Sequence, residues 1–469
     1  MRIYNTLTER IENFEPINPP VVGIYACGPT VYDYPHIGNL RTFCCVDFLR
    51  RTLEYFSYNV KLVINITDID DKIIKAVNET NTSLREYTSK YEKYFFESID
   101  KLNIKPASFY PRATEHINQM VEIIKLLLEK GIAYKAEDNS IYFSVSKFEE
   151  YGKLSKIDRS NLRKGVRVDI DQYDKENPAD FALWKAYSKE DGQIFWDLDI
   201  GKGRPGWHIE CSAMNRHYLG QPFDIHAGGV DLIFPHHENE IAQSEAAYGK
   251  KLANYWFHVN HLIVDGQKMS KSLNNILTIK DIPNPMALRL LYLQTHYRNK
   301  LNFTFDSLKS AENALNSLDS FVRTLIDIKT YYEFDDNKSD TNEYIRSIGQ
   351  KYKYSFEEAL KDDLNTPRAV SYLFELSNEF FSFLSKNPKE VRYSEAVYLI
   401  DIISEFDKVL GLKLLDIPTI PTEVQELLIA RKKAKAEKDY IQADNIRNKI
   451  REMGYIVEDT PWGTRCRKA

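Results

Sequence analysis

The sequence predicts an α/β protein: a parallel-sheet domain interrupted by an insertion, then an all-α bundle and a small C-terminal α/β element. Three observations carry this. Two short, almost wholly apolar runs, VVGIYACG at 21–28 and VKLVINITD at 60–68, have the β-branched pattern of strands buried on both faces. Between them, from Leu40 to Phe56, apolar residues recur at helical spacing, which completes a strand–loop–helix–strand unit. Beyond about residue 305, segments such as SLKSAENALNSLDSFVRTLIDI and PRAVSYLFELSNEFFSFL keep apolar residues three and four apart with almost no strand signal, as a helical bundle does.

The remaining elements follow in order. Residues 83–131 read as helices, and SIYFSVSKF at 140–148 alternates apolar and polar as a half-exposed strand does. Residues 149–206, rich in Asp, Lys, Gly and isolated Pro, read as an irregular insertion. The α/β pattern resumes with strands at FDIHAGG (223–229) and YWFHVNHLIV (255–264), joined by a helix over HHENEIAQSEAAYG that Gly249 ends. A proline-marked linker, DIPTIPTE at 416–423, sets off one long basic helix and a small hairpin from GYIVEDT and TRCRKA. The expected layout is a sheet domain in two halves, 1–104 and 207–264, a connective insertion at 105–206, and a loop with a helical junction at 265–305. A helical bundle at 306–415 and a small terminal domain at 423–469 complete it.

Composition narrows the class of function. A chain of 469 residues, 43% hydrophobic and 28% charged, has the length for two to four domains and the balance of a globular protein. No run approaches the roughly 18 apolar residues of a membrane span, and the N-terminal segment lacks the apolar centre of a signal peptide. Five cysteines, Cys27, Cys44, Cys45, Cys211 and Cys466, are too few and too odd for a secreted disulfide framework, so reduced thiols and a cytoplasmic location are expected. A net charge of −5 supplies no global field for nucleic acid, so any such contact relies on local patches, for which IARKKAKAEK at 429–438 and the terminal RCRKA are candidates.

Three constellations carry chemistry. In FPHHENEIA, 234–242, a helix beginning at Pro235 puts His236 and Glu240 on one face, with His237 and Asn239 pointing elsewhere. Such a pair alone is more often a solvent-facing polar pair; with Cys27 and Cys211, which end or flank predicted core elements, it can converge on a tetrahedral metal site gathered from distant loops. GPTVYDYPHIGNLRT, 28–42, leads from the first strand into the first helix, where backbone N–H groups and the helix end favour anions. His36 can there hydrogen-bond a phosphate oxygen with charge assistance, and Gly38 can admit a nucleotide close to the backbone; a tight turn around a buried histidine is the equal alternative. In DGQKMSKSLNN, 265–275, Lys268 and Lys271 are spaced to reach one polyphosphate, unless this is simply a generic basic loop.

These segments resemble the signatures of class I aminoacyl-tRNA synthetases, and in detail those of the cysteinyl-tRNA synthetase family. The resemblance rests on YACGPTVYDYPHIGN, NITDIDDKI, NPADFALWK, GRPGWHIECSAMN, FDIHAGGVDLIFPHHENEIAQSE and VDGQKMSKSLNN, with DLNTPRA at 363–369 similar to that family's helical anticodon-domain motif. It implies a Rossmann-like catalytic domain and one zinc ion per chain on Cys27, Cys211, His236 and Glu240. ATP with magnesium would meet Gly28, Thr30, His36, Gly38, Lys268 and Lys271. One departure is Asn39, where the signature ends in histidine; asparagine donates a hydrogen bond but carries no charge. Trp207 and His226 would wall the amino-acid pocket, or else be a packed aromatic and a core histidine, and Asp231 would take the ammonium group.

The implied partners are L-cysteine, ATP and a cysteine tRNA, with no membrane, and the chain is expected to act as a monomer. Zinc would grip the substrate sulfur at about 2.3 Å, and a site demanding a specific bond rejects analogues lacking it by roughly 10⁴, so no proofreading domain is needed. Two alternatives remain: a tRNA-independent cysteine ligase of the same catalytic design, which would not need residues 306–469, and a non-catalytic zinc-containing RNA-binding paralogue.

Overall fold

A computed structural model describes residues 1–157, 179–270, 273–333, 342–417 and 419–468. The chain divides into two compact units, residues 1–312 with 359–367, and residues 313–358 with 368–469.

The first unit is built on four parallel strands: β1 (Val21–Ala26), β2 (Asn59–Ile64), β3 (Phe223–Gly229) and β4 (Ala253–Val259). Their spatial order is β4-β3-β1-β2, with Ile24 opposite both Leu62 and Ile225. The β1–β2 crossover is helix α1 (Ile37–Tyr55), whose thirteen buried residues include Cys44 and Cys45, small side chains packed in its core face. Arg41 of α1 is fully buried, and its two terminal guanidinium nitrogens donate to the carbonyls of Asn260, His261, His296 and Asn299 at 2.7–3.2 Å, tying the helix to the chain that leaves β4. The predicted strand at 255–264 is in fact two, β4 and Leu262–Val264, which pairs in a different sheet with Leu301–Phe303.

Between 83 and 131 the helices are Leu84–Lys101 and Ile117–Glu129. The extended stretch separating them runs beside β2, where Phe109 and Pro111 accept from the N–H groups of Ile64 and Ile66. The insertion is more ordered than its composition suggests. The predicted alternating strand at 140–148 is a three-residue strand, Ile141–Phe143, buried on both faces and followed by a 3₁₀ turn. It joins Ala133–Lys135, Phe181–Ala186, Gly201–Pro205 and Trp196–Leu198 in a five-stranded antiparallel sheet, so 181–205 is not irregular; residues 158–178 lie outside the described residues. The Asp and Lys that mimic loop composition pair instead: Lys185 and Arg204 both reach Asp71, and Arg204 also bonds Asp191 at 2.7 Å. One apolar core joins this sheet to the parallel one, from Val63 through Ile124 and Leu127 to Phe143 and Leu183.

The second unit holds most of the long helices, with Phe356 and Phe406 stacked at 4.0 Å in its core. The tail is two helices rather than one, Thr422–Ala436 and Tyr440–Glu452, broken where Lys438 takes a left-handed φ of 61°. They pack on the hairpin Tyr455–Thr460/Gly463–Lys468 around Val424, Ile450, Val457 and Cys466. The basic run is partly structural, since Arg431 is buried and holds Asp459 with two bonds of 2.7–2.8 Å.

Candidate active site and metal centre

Parallel strands place their following loops at one edge, and the residues singled out in the sequence collect there. Cys27 follows β1; Cys211 lies on helix α2 (Trp207–Leu219), which packs against the sheet; His236 lies on the turn into helix α3 (Glu238–Tyr248) and Glu240 in its first turn. Ligand atoms of these four lie within 4.8 Å of one another, and all four side chains are buried. The two thiol sulfurs are 3.9 Å apart, Cys27 Sγ is 3.7 Å from Glu240 Oε1, and His236 Nε2 is 3.1 Å from that same oxygen.

His236 and Glu240 share a face as expected and Asn239 points away from them, but His237 does not. The backbone over Ile233–His237 is a wide π-type turn, and α3 starts only at Glu238, so helical spacing does not apply upstream of it. His237 turns into the core, its Nε2 3.3 Å from Cys27 Sγ and its Nδ1 2.8 Å from His258, while buried Asn239 accepts from Tyr151 at 2.6 Å. Cys27, His226, His237 and Glu240 therefore form a second overlapping donor set. The set with both cysteines fits zinc better, because two soft sulfurs, an imidazole and a carboxylate suit a tetrahedral borderline-soft ion. Its histidine also has an orienting partner, His236 Nδ1 lying 2.9 Å from His208 Nδ1.

The electrostatics concentrate negative charge. Burial pushes the Cys211 thiol up, yet hydrogen bonding from Cys27 and the charge of His236 outweigh it and bring Cys211 to about 6. Glu240 is likewise raised by burial but brought down to about 2 by His226 and His236, and His236, disfavoured by burial, is carried to about 10 by Cys211 and Glu240. A thiolate, a carboxylate and an imidazolium in a dry pocket are groups that a cation would reorganise.

Around this cluster, Trp207 is 38% exposed with its ring 4.2 Å from that of His236, so it forms a wall with one open side. His226 is fully buried, stacked on Trp256 at 4.6 Å and bonded through Nε2 to Glu240 Oε2 at 2.9 Å; it behaves as a supporting core histidine. Asp231 is exposed, and its charge acts on His36.

The loop from Gly28 to Asn39 is shaped by two close approaches. A Cβ on Gly28 would lie 1.5 Å from the Asn65 carbonyl oxygen, and one on Gly38 would lie 2.8 Å from Met269 Cε, so neither position admits a side chain as placed. Thr30 bridges Thr67 beyond β2. His36 is the N-cap of α1: its Nδ1 accepts from the N–H groups of Gly38 and Asn39 at 3.1 Å, and Asn39 Oδ1 accepts from the His36 N–H at 3.2 Å. Burial also lowers the His36 pKa. The ring therefore offers Nε2–H as a neutral donor, not with charge assistance, because protonating Nδ1 would break both cap bonds. Asn39 is explained by the same box, where an amide closes the cap.

Lys268 is exposed on a two-residue strand paired with Ile263, and Lys271 lies outside the described residues. The chain just beyond binds the first signature directly: Ile37 N–H donates to Leu277 O at 2.9 Å, and Thr278 bridges His36. Sequence reasoning missed Asn65, whose Oδ1 accepts from Gly28 N–H at 2.8 Å and lies 3.8 Å from Cys211 Sγ, so it touches both the loop and the cluster. Its place at the carboxyl end of a parallel strand was the available signal. Glu238 is fully buried and accepts from the backbone N–H groups of Gly152, Leu154 and Ser155, so it anchors the insertion.

The fold and this edge define a class I aminoacyl-tRNA synthetase. Residues 13–313 match the family described as tRNA synthetases class I (C) catalytic domain, and the chain superposes on Mycobacterium tuberculosis methionyl-tRNA synthetase with methionyl-adenylate at TM-score 0.61. That pair is 13% identical, covering 84% of this chain and 90% of the other; the Agrobacterium radiobacter K84 LeuRS ternary complex gives TM-score 0.60 at 10% identity over 86% of each. Residues 355–415 match a DALR domain, and 418–467 the cysteinyl-tRNA ligase anticodon binding domain. Cysteine–tRNA ligases of Protochlamydia amoebophila and Chlamydia pneumoniae are 43% and 45% identical, covering 100% and 99% of this chain and 98% and 97% of theirs. That of Brachyspira hyodysenteriae is 44% identical over 99% and 98%. The chain belongs to the cysteinyl-tRNA synthetase family.

Proposed function

We propose that the protein activates L-cysteine with Mg-ATP and transfers it to the terminal adenosine of a cysteine tRNA. The observation that carries this reading is the convergence of Cys27, Cys211, His236 and Glu240 beside a nucleotide loop whose signature segments bind each other. A cysteine carboxylate oxygen attacks the α-phosphorus of ATP, the bond to the bridging β-phosphate oxygen breaks, and pyrophosphate leaves. The neutral His36 Nε2–H, Lys268 and Lys271 stabilise charge on the phosphates rather than exchange protons. The terminal ribose hydroxyl then attacks the adenylate carbonyl, and AMP departs with the phosphate oxygen.

Cys27, Cys211, His236 and Glu240 would hold zinc, which when bound supplies a soft Lewis-acid contact selecting a thiolate over a hydroxyl. Trp207 closes one side of the pocket, Asp231 takes the ammonium group, and His226, Asn215 and Asn65 orient the cluster from behind. Residues 306–415 and 423–469 engage the tRNA. No helix among the described residues is long and apolar enough to cross a membrane; the five free cysteines support a reducing setting.

The test is cysteine-dependent exchange of labelled pyrophosphate into ATP, together with charging of total tRNA. Exchange with cysteine and not serine, followed by tRNA charging, is expected; exchange with a different amino acid would overturn the reading.

A further inference from the structure

A cluster of tyrosines and lysines beside the nucleotide loop remains outside this chemistry. Tyr32 and Tyr34 belong to the loop that ends at His36. Tyr87, Tyr91 and Tyr94 line one face of the helix Leu84–Lys101. Tyr34 packs edge-on against Tyr91 and Tyr94, with ring centroids 5.1 and 4.6 Å apart, and Tyr87 lies 5.2 Å from Tyr91 and bonds the Tyr32 carbonyl at 3.0 Å.

Three exposed lysines, Lys90 on that same helix and Lys72 and Lys280 from two other places in the chain, stand over these rings. Lys72 lies 4.9 Å from the Tyr32 centroid, Lys90 lies 5.6 and 5.2 Å from Tyr34 and Tyr91, and Lys280 lies 5.1 and 4.8 Å from Tyr34 and Tyr94. The acids facing the patch are Asp33, whose carboxylate accepts from the Tyr34 N–H, and Glu79, 3.9 Å from Lys75. Four of the five tyrosines are half-buried and retain open surface, while Tyr94 is buried beneath them. No sequence window shows this patch, because its lysines are 18 and 190 residues apart.

Aromatic faces bordered by mobile cations suit unpaired nucleotides: bases stack on the rings whatever their sequence, and lysines meet the phosphates. Resting on the reading above, a terminal adenosine must reach the adenylate beside His36, and Tyr34 is two residues from His36. We infer that this tyrosine–lysine platform holds the unpaired 3′ end of the tRNA as it enters the site. The lysines give up ring surface to a base and keep its phosphate.

Binding of intact cysteine tRNA, and of the same tRNA lacking its unpaired 3′ nucleotides, to the full-length protein tests this. In the double variant Lys72→Gln/Lys90→Gln, affinity for intact tRNA falls about tenfold, and the slope of log affinity against log salt is reduced by about 1.4, two contacts at about 0.7 each for single strands. Affinity for the shortened tRNA is the same in variant and parent. Tyr91→Leu gives a similar selective loss, and the exposed lysine pair keeps the test valid should that variant misfold.

Cysteine-dependent pyrophosphate exchange, which needs no tRNA, separates this platform from the activation reading, whose failure would abolish exchange in the parent protein as well. An equal loss with shortened tRNA, no loss with intact tRNA, or a fall in exchange confined to the variant would each overturn the assignment; the last would place the lysines on ATP.

Discussion

The metal-candidate cluster and the loop proposed to meet ATP lie at the same sheet edge but are built in opposite ways. In the cluster, Cys27, Cys211, His236 and Glu240 are all buried, and neighbours such as His208, His226 and Asn215 contact the donors from behind. In the cleft, His36 and Gly38 are half-buried, Asn39 and Lys268 are exposed, and the contacts are largely backbone caps and bridges. Selection of a side chain differing by one atom needs fixed donors in a dry pocket. Release of pyrophosphate needs a surface that opens. The difference is what the proposed function asks for, with discrimination of the thiol in the buried half and phosphate chemistry in the accessible half.

Breaking the buried half should cost most. Cys211→Ser removes one of two sulfurs, so zinc per chain should fall from one to near zero, and preference for cysteine over serine should drop by about 10³ toward the weak discrimination of a plain pocket. Metal analysis and paired exchange assays measure both. Breaking the open half should leave the metal alone: Lys271→Ala should slow adenylate formation roughly 10²-fold with zinc content unchanged. A sharper probe is His36→Asn, because asparagine still caps a helix while the ring donor is lost. Thermal stability should stay within about 0.5 kcal/mol, and adenylate formation should slow about tenfold, the worth of one hydrogen bond near 1.4 kcal/mol.

The smallest effect lies far from both halves. The Arg431 guanidinium holds the Asp459 carboxyl below the usual carboxylate range. A depressed carboxylate contributes stability above its unfolded pKa, about 3.9, and that contribution is lost as pH falls through the folded value. Asp459→Asn should therefore lower the protein's melting temperature slightly at pH 7 and by progressively less below about pH 4, the difference vanishing only once pH has fallen below the carboxyl's depressed folded value, as a pH series of melting curves would show.

The parallel strands were legible in the sequence because burial on both faces leaves continuous apolar runs, whereas Cys27, Cys211, His236 and Glu240, which the fold gathers, were singled out together through the family resemblance, since their spacing matches no compact metal motif. His237 was misjudged because the wide turn at Ile233–His237 breaks the 3.6-residue spacing on which the facing argument relied. The insertion's strands were hidden by charges that pair across the fold, as Lys185 and Arg204 do with Asp71. Asn39 reads in the sequence as a loss of charge; in the fold its side-chain oxygen accepts from the His36 N–H and closes the cap of α1, a local role the sequence did not show. The break near Lys438 carries no proline or glycine to announce it.

Zinc-edge X-ray absorption of the purified protein, with and without L-cysteine, tests the proposed selection of cysteine most directly. The free protein should show two sulfur neighbours at about 2.3 Å, completed by nitrogen and oxygen, and cysteine should add a third sulfur while serine adds none. An unchanged sulfur count on adding cysteine, or a metal shell without two sulfurs, would contradict it.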